Sequence, residues 1–275
     1  MNFKRVEIIF LFTFLAIDIF LFGMYQQNQN LQSENVSQGD SNSTIIKEMK
    51  NDQIKVGKLS DEEQAAYYVS GTRTNTLQQK MGQLTNQSTS FNDYELTSEF
   101  TQPINVAQDA PPQETINKML TDSTFILYGQ QYQYSKELSD ANTLVYTQKA
   151  LGRNIYSAVG QIRFEINDQH QLIGYTQRYL EDIKSLREKS ETISEERALI
   201  WLYQYNEIPN NTRIKWSKLE YTKLVNIDDN CVLIPTWVVA IKYNNSPTIQ
   251  IKRINAFTGS IIKDSTSNIK AATNS

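Results

Sequence analysis

The chain holds one histidine and one cysteine, so nucleophilic catalysis would have a single thiol–imidazole pair to draw on, Cys231 and His170. A reactive thiol needs a base held within hydrogen-bond reach, and no local signature joins these two. Cys231 stands at the head of an apolar run starting at Val232, which reads as a semi-buried structural thiol. His170 closes the polar string Asn167-Asp168-Gln169-His170, which reads as an exposed turn. A metal site would need three or four ligands at regular spacing, and none is present, so neither metal nor cofactor is expected. The glutamate pairs Glu62-Glu63 and Glu195-Glu196 have the types for acid–base work. Each falls where a first helical turn is expected, and there the helix dipole favours acids without any chemistry. No Gly-rich phosphate loop or catalytic triad spacing appears, and no enzymatic activity is expected. A wall-modifying enzyme would require a cleft of clustered titratable groups.

The sharpest single residue is Asp18, a carboxylate near the middle of the apolar run Ile8 to Tyr25. About eighteen residues at 1.5 Å rise make roughly 27 Å of helix, close to the hydrocarbon thickness of a bilayer. Lys4 and Arg5 precede the run, and no further Lys or Arg comes before Lys47, which places the N-terminus in the cytoplasm. A cleaved signal peptide would end in a small-x-small site; here the exit reads Phe22-Gly23-Met24-Tyr25, so an uncleaved signal anchor is expected. A mid-bilayer carboxylate costs roughly 2.5–3.5 kcal/mol on insertion scales. It is expected to face a partner helix, flanked by Phe14, Ile17, Leu21 and Phe22 at three- and four-residue spacing. The bland alternative is an anchor that tolerates one carboxyl.

The rest of the chain has to position these residues. The net charge of −3 offers no basic face for nucleic acid. One cysteine excludes an internal disulfide, which suits a bacterium exporting proteins without them. The 15 tyrosines suit sheet surfaces and interfaces. Residues 1–5 are expected as a cytoplasmic tip, 6–25 as the transmembrane anchor and 26–53, rich in Gln, Asn and Ser, as a flexible stalk. An α+β domain over 54–189, a second over 190–266 and a disordered tail over 267–275 complete the plan.

Within the first domain, Leu59-Ser60-Asp61-Glu62-Glu63 carries a capping signal for a helix. Leu77, Met81 and Leu84 have helical spacing in a polar background. Pro111 and Pro112 open a short helix with Ile116, Met119 and Leu120 on one face. Strands are expected at 125–134, 143–148, 161–167 and 171–179, the last two forming a hairpin. The second domain opens with a helix from Ile193-Ser194-Glu195-Glu196, its apolar face Ala198, Trp201, Leu202 and Tyr205, ended by Pro209-Asn210-Asn211. Further strands are expected at 212–224, 232–243, 248–255 and 261–262. Pro235 cannot donate to a ladder, so it marks an edge or the beginning of its strand. Trp201, Trp216 and Trp237 read as core or interdomain anchors, and Ile254 to Gly259 as a strand ending in a tight turn. One helix leading into an antiparallel meander, twice, is an α+β fold with internal duplication.

The opening Met1-Asn2-Phe3-Lys4-Arg5 with its apolar anchor, then Gly152-Arg153-Asn154-Ile155-Tyr156, Gly174-Tyr175-Thr176-Gln177-Arg178-Tyr179-Leu180 and Ile254-Asn255-Ala256-Phe257-Thr258-Gly259, resemble the YycI (WalI) regulatory proteins of low-GC Gram-positive bacteria. The stretch from Ile193 through Pro235-Thr236-Trp237 to Gly259 is similar to PepSY-type domains. The resemblance implies a non-catalytic, single-pass protein of the cell membrane with its C-terminal domains outside. It implies action beside a YycH-like accessory protein on a sensor histidine kinase of the WalK (YycG) type, in control of cell-wall metabolism. An anchored module whose outer domains bind a wall fragment, peptide or protease is the alternative.

Overall fold

A computed structural model describes residues 8, 10–23, 38–106, 111–246 and 248–263. Lys4, Arg5, the first part of the expected stalk and the expected tail lie outside the described residues. Residues 10–23 are helical. No helix among the described residues is long and apolar enough to cross a membrane. Residues up to Glu48 and those from Met49 onward form two separate units.

The second unit is mixed α and β, almost wholly antiparallel. Its strands are β1 (Ala65–Ala66), β2 (Val69–Arg73), β3 (Gln87–Asn92), β4 (Glu95–Asn105), β5 (Tyr132–Ser135), β6 (Thr143–Ala150) and β7 (Arg153–Asn154). They continue with β8 (Gln161–Ile166), β9 (Gln171–Gln177), β10 (Leu180–Ser185), β11 (Ser190–Glu191), β12 (Thr212–Ile227), β13 (Asn230–Tyr243) and β14 (Ile249–Asn255). A seven-stranded sheet runs β3-β4-β9-β8-β6-β5, with β7 also on β6. A five-stranded sheet runs β10-β2-β13-β12, with β14 also on β13. Strands β2 and β10 precede residue 190 yet complete the sheet whose centre is β13.

Each large sheet is covered by the helix that the proline or the cap starts. Helix Pro112–Met119 lays Ile116 and Met119 on Leu96, Tyr146, Phe164, Leu172 and Tyr175 of the seven-stranded sheet. Helix Glu195–Gln204 begins at Ser194, whose Oγ accepts from the Arg197 amide at 3.2 Å. It packs Ala198, Leu199 and Leu202 on Trp237, Val239 and Ile241 of β13. The opposite face of β13 is buried as well, where Val238 meets Val145 and Tyr156; nearer the start of the strand, Leu233 meets Ala150 and Ile155. A strand covered on both faces reads as a continuous apolar run, which is why Ile234 to Ile241 shows so little alternation in burial.

Several expectations give way to tertiary contacts. Residues 38–51, within the segment expected as a stalk, form a helix. Its end has left-handed Gln53, and the Ile54 amide reaches back to the Met49 carbonyl at 2.9 Å, seating both apolar side chains in the core. The capping signal at Ser60 starts no helix. The segment has no regular structure, and its backbone caps another helix: Ser60 O accepts from the Glu196 amide at 3.0 Å, while Ser60 N donates to Glu195 at 3.1 Å. Helix Glu195–Gln204 ends at left-handed Asn206, before Pro209, so Tyr205 turns out to solvent and Leu199 takes the buried position. The expected strand 125–134 is mostly turn and 3-10 helix, with only Tyr132–Ser135 paired. Pro235 lies inside the central strand. Its carbonyl accepts from the Ala256 amide, so the missing N–H points to the same side, where pairing with β2 stops at Leu233 and pairing with β14 begins at Thr236. The hairpin at 161–177 forms as expected, with His170 in its turn.

Candidate functional site

The expected partner face falls on the described helix. Phe14, Ile17, Asp18, Leu21 and Phe22 occupy one side at i, i+3, i+4, i+7 and i+8, and all are exposed. The rest of that helix is no more polar. Phe10, Leu11, Phe12, Leu15, Ile19 and Phe20 are 53–66% exposed, and Ile17 at 46% is the least exposed of its large apolar residues. A helix that is apolar all round has no favourable position in water; it belongs inside a protein core or a bilayer. The geometry therefore supplies a helix needing an apolar surround, with one carboxylate on its flank.

The other candidates resolve into structural roles. Cys231 is fully buried, and burial pushes its thiol up to about 11, which makes it a poor nucleophile. It packs with Val69, Leu180 and Tyr221, while His170 sits exposed at φ 58 in a turn of the other sheet. Glu195 joins Ser60 N and the Ser217 hydroxyl, tying helix, strap and β12 together. The amide of Glu62 donates to Ser60 Oγ at 3.2 Å, and the side chains of Glu62 and Glu63 are exposed. Among the described residues no group of three His, Cys, Asp or Glu is placed to hold a metal ion.

At the C-terminal turn, Asn255 Oδ1 accepts from the amides of Phe257 at 2.9 Å and Thr258 at 3.3 Å. Gly259 comes next at φ 69, and a side chain there would strike Trp201, so the turn is a packing device. Trp237 Nε1 donates to Ile193 O at 2.8 Å, anchoring the helix start to the sheet. Trp216 lies 6.3 Å from the Tyr156 ring, where the two large sheets meet. The three tryptophans are anchors, as their setting in the sequence suggests.

Two features escape a reading of the sequence. One is the joint between the sheets. Gln148 of β6 is fully buried; its Nε2 donates to Leu180 O at 2.8 Å and its Oε1 accepts from Leu180 N at 3.0 Å. A single amide thus clamps the seven-stranded sheet to the first residue of β10 in the five-stranded one. The other is a cavity of about 340 Å³ beside helix Pro112–Met119, bounded by Lys80, Leu120, Ile126, Leu127 and Tyr128. Its walls come from separate segments, and the one signal in the sequence, Phe125 to Tyr134, reads as strand.

No curated protein matches the chain. Among solved structures, an uncharacterized protein from Eubacterium rectale aligns at 10% identity and a TM-score of 0.48, over 77% of this chain and 89% of its own. The Bacillus megaterium YpeB C-terminal domain aligns at 12% identity and a TM-score of 0.36, over 82% of this chain and 95% of its own. The family model described as YycI protein matches residues 32–257, spanning both large sheets and their helices, and the chain belongs to that family.

Proposed function

We propose that this protein is a non-catalytic, membrane-anchored regulator of a sensor histidine kinase. Membership of the YycI family supports a regulator of the WalK/WalR system at the level of the family. The observation that carries the anchored reading is the N-terminal helix, whose apolar side chains are exposed on every side. In a bilayer that surface is solvated, and the N-terminus stays in the cytoplasm while both sheets lie outside. Asp18, with Phe14, Ile17, Leu21 and Phe22, then meets the transmembrane helices of the kinase and of a YycH-like partner. The outer part, PepSY-like in plan, supplies a second contact surface.

Regulation in this reading is a shift of population between kinase states, biased by helix contacts that differ between them. A tenfold change in output needs about 1.4 kcal/mol of bias. One intramembrane hydrogen bond plus packing is of that order, about 1–2 kcal/mol. The test is co-purification of the kinase with the full chain and with Asp18→Leu. Weaker capture by the variant, at equal membrane levels, supports the contact; unchanged capture together with unchanged expression of the kinase's target genes removes Asp18 from it.

A further inference from the structure

Strand β3 forms one margin of the seven-stranded sheet, and it pairs with β4 from Gln87 opposite Phe100 to Asn92 opposite Glu95. One step earlier the Thr101 amide donates to Asn86 O at 2.9 Å, which fixes the phase of this ladder. Bonded pairs alternate along an antiparallel ladder, so Ser88, Ser90 and Asn92 bond to β4. The N–H and C=O groups of Gln87, Thr89 and Phe91 therefore point outward. Among the described residues nothing takes them up.

Sheet edges in natural proteins are blunted by charged side chains, proline, bulges or a covering segment. β3 reads Gln-Ser-Thr-Ser-Phe-Asn, without charge or proline, and its register on β4 is unbroken. Its outer face carries Ser88, Ser90 and Asn92, all exposed. On its inner face Phe91 packs on the core yet stays partly exposed, as do Met81 and Leu84 after the short helix Thr76–Lys80. The strand is also held at both ends. Gln87 Nε2 donates to Phe125 O at 3.0 Å, and Tyr94, in the left-handed Asp93-Tyr94 turn, donates its hydroxyl to Asp229 at 2.8 Å. An edge already fixed loses little freedom on gaining a neighbour.

We propose that a second copy of this chain adds to this edge, β3 antiparallel to β3, joining two seven-stranded sheets into one. The strand is complementary to itself. A twofold axis at Thr89 sets Thr89 against Thr89 of the second copy, and Gln87 against Phe91 in both directions. Every outward N–H and C=O is then met, by about six hydrogen bonds, two for each bonded pair. On the outer face Ser88 lies across from Ser90, a hydroxyl pair that steadies neighbouring strands. No like charges oppose each other, and β3 offers a charged partner segment nothing to select it. Interfaces carry about one hydrogen bond per 100–200 Å², so this one buries roughly 600–1,200 Å², the size of a weak dimer.

The test uses the full chain in detergent micelles, where sedimentation equilibrium is expected to show a dimer with a Kd of about 10–100 µM. Thr89→Pro removes only an outward N–H, so the ladder to β4 stays while the dimer is lost. If that variant does not fold, Ser88→Lys with Ser90→Lys serves. Both positions are exposed, and the added charges oppose each other across the axis and weaken the dimer about tenfold. Oxidative cross-linking separates this contact from association of the N-terminal helices. Thr89→Cys puts two thiols on a bonded pair with Cα atoms about 5.5 Å apart, within disulfide reach. Ser90→Cys leaves them on a diagonal of about 7–8 Å, and it cross-links about tenfold more slowly. The native Cys231 is buried and takes no part. A chain still monomeric at about 0.5 mM, equal cross-linking from the two positions, or a dimer that survives the folded edge variants overturns the proposal.

Discussion

Replacing Gln148 by leucine tests how the two large sheets are held together. The side chain is fully buried, and so is Leu180, whose N–H and C=O it engages at 3.0 and 2.8 Å. Leucine keeps much of the volume and removes both bonds, so two backbone groups of Leu180 are left without those partners. Each unsatisfied buried group costs about 1–3 kcal/mol. Taking the lower half of that range for the pair gives about 3 kcal/mol. For a folded unit of this size each kcal/mol moves the midpoint by about 2–4 °C, so the loss is roughly 6–12 °C. The assay is thermal unfolding of the full chain in nanodiscs, monitored by fluorescence of Trp201, Trp216 and Trp237, all of which lie in or against the five-stranded sheet. Gln148→Glu isolates the donor: it keeps an acceptor for Leu180 N but presents a carboxylate oxygen to Leu180 O. It is expected to be at least as damaging at neutral pH. A shift below about 1 °C in Gln148→Leu would refute the clamp as a joint of the fold.

Two further expectations concern the same unit. Gly259→Ala places a methyl group 1.8 Å from the Trp201 ring at a residue with φ 69. Overpacking and a left-handed Cβ together cost about 3 kcal/mol, read as a lowered unfolding midpoint with a changed Trp201 emission. Glu220 is buried, and burial raises its carboxyl pKa against the opposing hydrogen bond from Asn154 N at 3.0 Å. A raised folded value means that the contribution of this group to stability is full below the unfolded carboxylate pKa and is lost as pH rises through the folded value. Glu220→Gln keeps an acceptor for Asn154 and removes that loss, so the variant melts above the parent at pH 7 and the gap closes toward pH 4. Parallel melting curves across that range would contradict it.

The parts of this fold legible in the sequence are those fixed by local signals. Pro112, the Ser194 cap and the alternation across 161–177 each specify an element from within a few residues, and each element forms where expected. The failures share a cause at longer range. The Ser60 signal is locally sound, but its backbone oxygen is taken by Glu196, 136 positions on. Pro235 reads as an edge residue because nothing nearby tells that two different strands share one side of β13 with a gap between them. Phe125 to Tyr134 has strand composition, yet close packing of Gly129 on Leu120 forces a turn. The candidate partner face on the first helix comes from spacing alone, since helical periodicity puts Phe14, Ile17, Asp18, Leu21 and Phe22 on one side. The cavity does not, because its lining is assembled by tertiary structure.

The central claim is that regulation runs through the N-terminal helix. The direct measurement exchanges residues 1–30 for an unrelated transmembrane anchor, then tracks kinase-dependent wall-gene expression and kinase co-purification together. The account predicts loss of both while the region from Met49 onward remains folded and exported. Retention of both with the foreign anchor would contradict it and place the regulatory contact in the sheets.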